Sequence, residues 1–420
     1  MSMTSYREVL ARLDALGMFH MDLQLERMDR GLRALDLLSP PYAVVQIAGT
    51  NGKGSTSSFL ASLGRAHGVR TGLFTSPHMA SPRERIRING ETLSEEHWVR
   101  LARRVFSAVP ELTYFECVCL MAVLAFAEEN VQLAVMEAGL GGRFDATTAL
   151  PADLTCFTSI GFDHMNVLGP GLLDIARDKA AAMRPNVPAI TVRQVPEVQA
   201  CLMAAGSRIG APLLRAEEVR ALPRDWRLGL RGAHQLENAG LALAAWTELA
   251  RQYSWPARDD LAREGLESAF IPGRLQSIPA SRVHPDLLLD GAHNAPAFAA
   301  LGKALREMDI RPRALVFSCL ADKDLNGIVP LALDLAVGAP LFIPPLAVPG
   351  RAVPPDMIAA KFGPTASAAP SLEAAVKAAG QRDSSPQTPV LLCGSLYLLA
   401  EFFTLYPECL HGRPDLQRTP

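Results

Sequence analysis

Paired cysteines are missing from this chain. Seven cysteines occur in 420 residues, an odd number, and none forms a Cys-x-x-Cys pair. The spacing therefore carries neither a disulfide framework nor a local structural zinc motif. Cys117 and Cys119 sit in the apolar run Cys117-Val118-Cys119-Leu120-Met121, where small thiols serve as core residues. An excess of one charge is also lacking. Lys+Arg number 41 against 43 Asp+Glu, a formal net charge of −2, so no whole-protein field attracts nucleic acid or an anionic membrane. No stretch reaches the roughly 20 uncharged apolar residues of a membrane span. Residues 1–10 are polar and charged, unlike a secretory signal. The expectation is a cytoplasmic monomer without nucleic-acid or membrane partners.

What is present is a soluble globular composition, 49% hydrophobic and 20% charged. The length suits two domains or three. Short apolar runs alternate with longer helical stretches. Strands are read at residues 43–48, 69–74, 133–136 and 154–157, with helices at 55–66 and 115–129 between them. Nearly continuous apolar strands in such alternation mean a mostly parallel sheet covered on both faces. The pattern pauses over residues 211–233, resumes with a helix at 234–253, and is punctuated at Ile271-Pro272-Gly273-Arg274. Strands then follow at 287–289, 314–317 and 389–392, with a helix at 297–308. The fold class expected is α/β. A doubly wound domain, which the loop at residues 49–55 marks as P-loop-type, spans residues 1–278, and a smaller Rossmann-like α/β domain spans 279–420. The Pro-rich segment 343–355 reads as a surface loop.

The strand ending at Ala48 runs into Gly49-Thr50-Asn51-Gly52-Lys53-Gly54-Ser55 and then a helix. A glycine-rich strand-to-helix turn lets backbone N–H groups approach phosphate oxygens, and the helix start adds partial positive charge. Lys53 is placed to neutralise the β- and γ-phosphates. The match to G-x-x-x-x-G-K-[ST] is imperfect. Ile47 stands where the first glycine belongs, and Gly54 separates Lys53 from Ser55. A plain Gly-rich turn is the bland alternative, but strand, turn, lysine and helix agree on nucleotide binding.

An Mg-ATP site needs hard oxygen ligands. Three segments offer them, each after an apolar strand at the edge where open α/β sheets bind ligands. They are Thr75-Ser76-Pro77-His78, residues 136–147 beginning Met136-Glu137, and residues 158–164 ending Phe162-Asp163-His164. Glu137 alone could be a surface or capping carboxylate. His78 and His164 alone would be ordinary polar loop residues, and Lys179 a solvated helix lysine.

Together these segments resemble the folylpolyglutamate synthase/dihydrofolate synthase family of the Mur-ligase superfamily, in the bifunctional bacterial form. The G-T-N-G-K-G-S loop carries that resemblance. So do residues 21–28, Glu84-Arg85-Ile86-Arg87-Ile88, Thr113-Tyr114-Phe115-Glu116, Pro272-Gly273-Arg274, Asp290-Gly291-Ala292-His293-Asn294 and Cys393-Gly394-Ser395. Departures occur at Thr148, where the family often has Asn, at Ser318-Cys319, and at Leu396-Tyr397.

The resemblance implies an ATP-dependent ligase that adds L-glutamate to dihydropteroate and to tetrahydrofolates through an acyl phosphate. It implies that Asn51, Gly52, Lys53, Gly54, Ser55, Asn238, Arg274 and Asp290 bind ATP, the last two brought in by domain closure. Ser76 and Glu137 would hold one Mg²⁺. Glu137, His164 and Lys179 would hold a second, with Lys179 as a carbamate, and a monovalent cation would be a further cofactor. Lys53, Lys179 and His164 would be catalytic. Met21, Asp22, Leu23, Leu112, Thr113, Tyr114, Phe115, Arg143, Phe144 and Asp145 would line the pterin side. His293 and Asn294 would belong to a site on the second domain. A muramyl-peptide ligase and a P-loop NTPase switch remain as alternatives. The first lacks its separate UDP-binding domain here, and the second gives Glu137 and Asp290 no role.

Overall fold

Six consecutive buried residues, Ala43–Ala48, form β1, as a strand covered on both faces requires. The computed structural model describes residues 3–18, 20, 22–348, 350–381 and 388–410. They form two compact units. The first takes in the described residues of Met1–His78, Pro82–Leu228 and Glu237–Ala269. The second takes in those of Met79–Ser81, Gly229–Leu236 and Phe270–Pro420.

The sheet of the first unit contains β1, β2 (Thr71–Phe74), β3 (Ile86–Ile88), β4 (Glu91–Thr92), β5 (Leu133–Glu137), β6 (Leu154–Phe157), β7 (Ala189–Thr191) and β8 (Leu213–Arg215). Their order is β4-β3-β2-β5-β1-β6-β7-β8. The pairings β2–β3 and β3–β4 are antiparallel, and the rest are parallel. The order reverses at β1, which opens a crevice at the carboxyl ends of β5, β1 and β6. Register fixes what meets there. Ile47 lies beside Glu137 and Ala48 beside Phe157, while Phe74 pairs with Met136. The loops that begin at residues 49, 75, 138 and 158 therefore leave the sheet at one level.

The helix Tyr114–Glu128 shows why the core lies where it does. Twelve of its residues are buried, and an apolar surface on all sides suits only a helix enclosed by others. A capping box between Thr113 and Glu116 starts it. Cys117 and Cys119 are wholly buried in this core, as read from the sequence, and burial pushes both thiols up.

The second unit holds β9 (Gln276–Ile278), β10 (Leu287–Leu289), β11 (Ala314–Phe317), β12 (Leu341–Ile343), β13 (Ala366–Ala368) and β14 (Val390–Cys393). The order is β13-β12-β11-β14-β10-β9, with only β9 antiparallel. Alternate residues serve two cores. Leu288, Leu315 and Leu391 face one, and Leu287, Leu289, Val316, Val390 and Leu392 face the other. A sheet buried on both faces explains why these strands read as unbroken apolar runs.

Besides shifts of one or two residues at several element ends, such as the strand read at 69–74 and observed at Thr71–Phe74, the structure differs from the sequence reading as follows. The helix after the phosphate loop begins at Lys53, not residue 55, because Gly52 supplies the left-handed turn. The Pro-rich segment is more than a surface loop. Leu346 and Val348 are buried in the second unit's core, and Leu320 bridges to Ala352. Strands β3, β4, β7, β8, β9, β12 and β13 went unread; each has three residues or fewer, too few for a periodic signal. Among the described residues, no helix is long and apolar enough to cross a membrane.

Candidate active site

The phosphate loop is shaped by two glycines. Gly49 has φ +143° and Gly52 φ +89°, both in the range glycine favours. Their α-carbons also lie against neighbours. A Cβ at Gly49 would come within 1.9 Å of Thr158 Oγ1, and one at Gly52 within 2.2 Å of Asn238 Oδ1. Asn238, on the helix His234–Tyr253, is thus set against the loop nearly 190 residues away in sequence. The loop is clasped from the other side as well. Thr50 N–H donates to Ser159 O at 2.8 Å, and Thr50 Oγ1 donates to Gly161 O at 3.0 Å. Gly49→Ala is expected to lower stability by about 1–3 kcal/mol and to weaken ATP binding, since the whole loop must shift. Thermal unfolding and nucleotide titration of the purified variant check this; an unchanged ATP affinity would contradict it.

Two lysines converge on one carbonyl. Lys53 Nζ donates to Gly49 O at 3.3 Å and to Thr50 O at 3.1 Å. Lys179 Nζ donates to the same Gly49 O at 2.7 Å. Lys179 is only 4% exposed. Burial, together with the Lys53 charge, pushes its amine down to about 7, against the opposing pull of Asp178, Asp163 and Asp145. A small pocket opens here, lined by Lys53, Lys179, Asp163, His164, Thr50 and the 139–141 glycine turn.

Glu137 ends β5 and is 4% exposed. Its carboxylate lies against Gly54, where a Cβ would be 3.5 Å from Oε1, and Oε2 accepts Ser76 N–H at 3.1 Å. Ser76 and Glu137 therefore stand together beside the phosphate loop. His164 takes a left-handed conformation (φ 51°), and its Nε2 is 3.9 Å from Asp163 Oδ2. His78 is different. Its Nδ1 accepts from Arg85 Nε at 2.9 Å, and burial with that guanidinium nearby holds its imidazole down to about 3, so it is a neutral structural acceptor. Ser55 is buried in the first turn of the loop helix.

The residues expected to line a pterin pocket take up separate tasks in the structure. Asp145 is buried, and its oxygens accept Gly139 N–H (2.7 Å), Leu140 N–H (2.9 Å), Thr147 N–H (3.0 Å) and Thr147 Oγ1 (2.5 Å). Burial pushes its carboxyl up while those bonds pull it down. Its carboxylate is thus committed to shaping its own loop. Leu112 and Tyr114 are buried, the latter under the Arg85 guanidinium at 5.1 Å. Thr113 serves the capping box. Phe115 is partly exposed. It packs on Phe74 at 5.4 Å, and its ring presses on Gly139, so it links the helix start to the pocket rim. Arg143 lies over the exposed Phe144 ring at 4.9 Å. Leu23 is exposed, and Met21 lies outside the described residues.

Asp22 is tied down by partners that sequence reading missed. Its Oδ2 accepts Gln24 Nε2 at 2.7 Å and Arg27 Nη1 at 2.5 Å. Gln24, then Arg27, hold its carboxyl below the ordinary range. Arg27, 7% exposed, also makes a two-pronged contact with Glu116, Nε to Oε2 at 3.0 Å and Nη2 to Oε1 at 2.9 Å. The lone signal was that Arg27 and Glu116 both stand in the stretches 21–28 and 113–116. Another missed residue is Asp178, whose Oδ1 accepts Gly142 N–H at 2.8 Å. Thr148, the departure in the D-A-T run, donates to Gly142 O at 2.6 Å and accepts from Gln46 Nε2 at 2.7 Å.

In the second unit, Arg274, Asp290, His293 and Asn294 gather at the carboxyl end of β10. The Arg274 guanidinium lies on Gly291. Asp290 accepts Leu275 N–H at 3.0 Å and Ala292 N–H at 2.9 Å. His293 Nδ1 is 2.8 Å from Gly291 O, and Asn294 caps the helix Ala295–Glu307.

Comparison with known proteins places these features. Residues 273–396 match the family model described as Mur ligase, glutamate ligase domain. The chain is 33% identical to the dihydrofolate synthase/folylpolyglutamate synthase of Escherichia coli, over 93% of each chain. It is 37% identical to the folylpolyglutamate synthase of Arabidopsis thaliana over 71% of its length, and spans 58% of that plant protein. Among solved structures, E. coli FolC in complex with DHPP and ADP superposes with a TM-score of 0.86 at 29% identity, covering 97% of this chain and 99% of that one. The Yersinia pestis bifunctional enzyme with Mn, AMPPNP and L-glutamate bound gives a TM-score of 0.84 at 28% identity, covering 97% and 99%.

Proposed function

Since the chain belongs to the dihydrofolate synthase/folylpolyglutamate synthase family of ATP-dependent glutamate ligases, we propose that it joins L-glutamate both to dihydropteroate and to tetrahydrofolates. The observation that carries this reading is the cluster at the carboxyl ends of β1 and β5. Lys53 and Lys179 meet at Gly49 O, and the Glu137 carboxylate stands against Gly54. A carboxylate does not condense with an amine in water, because its oxygen is a poor leaving group. In the proposed reaction a substrate carboxylate oxygen attacks the γ-phosphorus of ATP and ADP departs. The neutral glutamate amine then attacks the acyl carbon, losing a proton as phosphate leaves. Lys53, released from its loop carbonyls, would neutralise charge that builds on the transferring phosphoryl group.

The residues fit a magnesium site. A buried carboxylate with Ser76 on it offers the hard oxygen donors this ion takes. We assign Ser76 and Glu137 to hold one ion, and Glu137, His164 and Lys179 to hold a second. When bound, Mg²⁺ would neutralise phosphate charge. An unmodified Lys179 ammonium would repel the cation, whereas its neutral amine can add CO₂ and become a carbamate oxygen ligand. The reaction class is tested by ATP hydrolysis with dihydropteroate or tetrahydrofolate, plus and minus L-glutamate. Glutamate-dependent release of ADP with either acceptor is expected. Hydrolysis indifferent to glutamate would sink the reading.

Dual activity makes a sharper demand. Asp22, kept ionised by Gln24 and Arg27, can accept from pterin N–H donors, and Phe115 can stack on a flat ring. Asp22→Ala is expected to lower kcat/KM for dihydropteroate about 10-fold or more, the value of a charged hydrogen bond, and to lower tetrahydrofolate extension less. Equal losses with both acceptors would remove Asp22 from pterin recognition.

A further inference from the structure

We propose that the second unit carries a transition-metal site built from His284, Cys409 and Glu408, suited to a borderline divalent cation such as zinc. These residues come from the loop between β9 and β10 and from the turn Pro407–Leu410. Their donor atoms, an imidazole nitrogen, a thiol sulfur and a carboxylate oxygen, all lie within 4.8 Å of one another. The site uses none of the residues assigned to ligation.

The geometry is arranged for metal rather than merely crowded. His284 Nδ1 lies 2.9 Å from Pro285 O. A carbonyl only accepts, so Nδ1 carries the proton and the Nε2 lone pair is left facing Cys409 Sγ at 3.8 Å. Ligating histidines use this device, donating the second ring N–H to a backbone carbonyl. A tetrahedral zinc ion, with Zn–S near 2.3 Å and Zn–N near 2.0–2.1 Å, holds sulfur and nitrogen about 3.6 Å apart, close to the spacing observed.

The frame around the donors is also fixed. The His284 ring packs edge-on against Tyr406 at 5.1 Å and Phe402 at 6.2 Å. Ser281 N–H donates to His284 O at 2.9 Å, and Gln276 Nε2 holds Cys409 O at 2.8 Å. Cys409 and His284 are buried, whereas Glu408 is exposed. Its carboxylate can close on an ion by side-chain rotation, and a water would complete a tetrahedral set as fourth ligand. Thiolate plus imidazole selects zinc-like ions over magnesium. On binding, the Cys409 thiol loses its proton to solvent and its sulfur lone pair goes to the cation, with no change of oxidation state. The ion would tie the Pro407–Leu410 turn to the loop ahead of β10.

The test uses the full-length protein, stripped of metal and kept in excess Mg²⁺, titrated with Co²⁺. One equivalent is expected to produce a thiolate-to-cobalt charge-transfer band and tetrahedral d–d absorption, both displaced by Zn²⁺, and Zn²⁺ should raise Tm. Cys409→Ser should abolish the charge-transfer band. Glu408→Gln, an exposed change that leaves the fold intact should Cys409→Ser fail to fold, should weaken Co²⁺ binding at least several-fold without altering ligation at saturating Mg-ATP. A well-folded protein with no charge-transfer band, a band retained in Cys409→Ser, or unchanged Co²⁺ affinity in Glu408→Gln overturns the proposal. In the first case His284 and Cys409 share only a thiol–imidazole hydrogen bond.

Discussion

Lys53→Ala should lower glutamate-dependent ligation by about 10²–10³-fold, the scale on which removal of one pre-aimed charge-stabilising donor acts, while the melting temperature changes little. Among the described residues, Lys53 gives its ammonium to two carbonyls of its own loop, Gly49 O and Thr50 O. Those are weak anchors for the fold and easily exchanged for phosphate oxygens. Loss of Lys53 therefore removes little packing but leaves transferring phosphoryl charge uncompensated. Steady-state kinetics with ATP, L-glutamate and either acceptor, next to thermal unfolding of the same preparation, checks both halves. A near-normal turnover number would show that Lys53 does not act on the phosphates.

The second large effect is expected at Lys179. Its amine is pushed down to about 7 by burial and by the Lys53 charge, so near neutral pH a large fraction is unprotonated. In carbamate formation the nitrogen lone pair attacks CO₂, an N–C bond forms and a proton is released. The product is an anion where an ammonium had been. Activity should therefore fall as pH is lowered through about 7. It should also fall when dissolved CO₂ is removed, and return on adding bicarbonate. Lys179→Ala is expected to lose about 10²-fold or more, with partial recovery in short-chain carboxylates that place an oxygen anion in the vacated space. ¹³CO₂ labelling that finds no carbamate in active, Mg-loaded protein would refute this.

The unmodified form makes an independent check through stability. The folded amine titrates near 7 and the unfolded one near 10.5, so between those values the unfolded chain binds the extra proton. Stability of CO₂-free protein should rise with pH across that window. In Lys179→Met that part of the slope should vanish.

Much of this protein was legible along the chain because its chemistry is local. Residues 49–55 are contiguous, and strand, turn, lysine and helix each announce themselves through spacing and residue type. Strands β1, β6, β10 and β11 were read with their observed limits, since a strand buried on both faces is an unbroken apolar run. Glu137 was found because it closes such a run at the ligand edge. The short strands β7, β8, β12 and β13 are three residues each, and their pairing rests on neighbours that no local window contains.

Residue type alone does not record which partners a side chain takes. Asp145 looks like a ligand carboxylate beside glycines, yet four donors of its own loop consume it. Thr113 and Tyr114 go to a helix cap and the core. Arg27, ordinary in sequence, becomes the hinge between Asp22 and Glu116, 89 residues further on.

The sequence by itself determined the α/β class, the phosphate loop and the strand-end carboxylate, because each is specified by neighbours within about ten residues, where backbone geometry links type to position. Only the tertiary structure decided the depressed Lys179 amine, the seat of Asn238 on Gly52, the Arg27 clasp and the meeting of His284 with Cys409. Desolvation, charge proximity and donor geometry depend on distances through space. Those distances are set by sheet register and helix packing across tens to hundreds of residues, and no pattern along the chain records them.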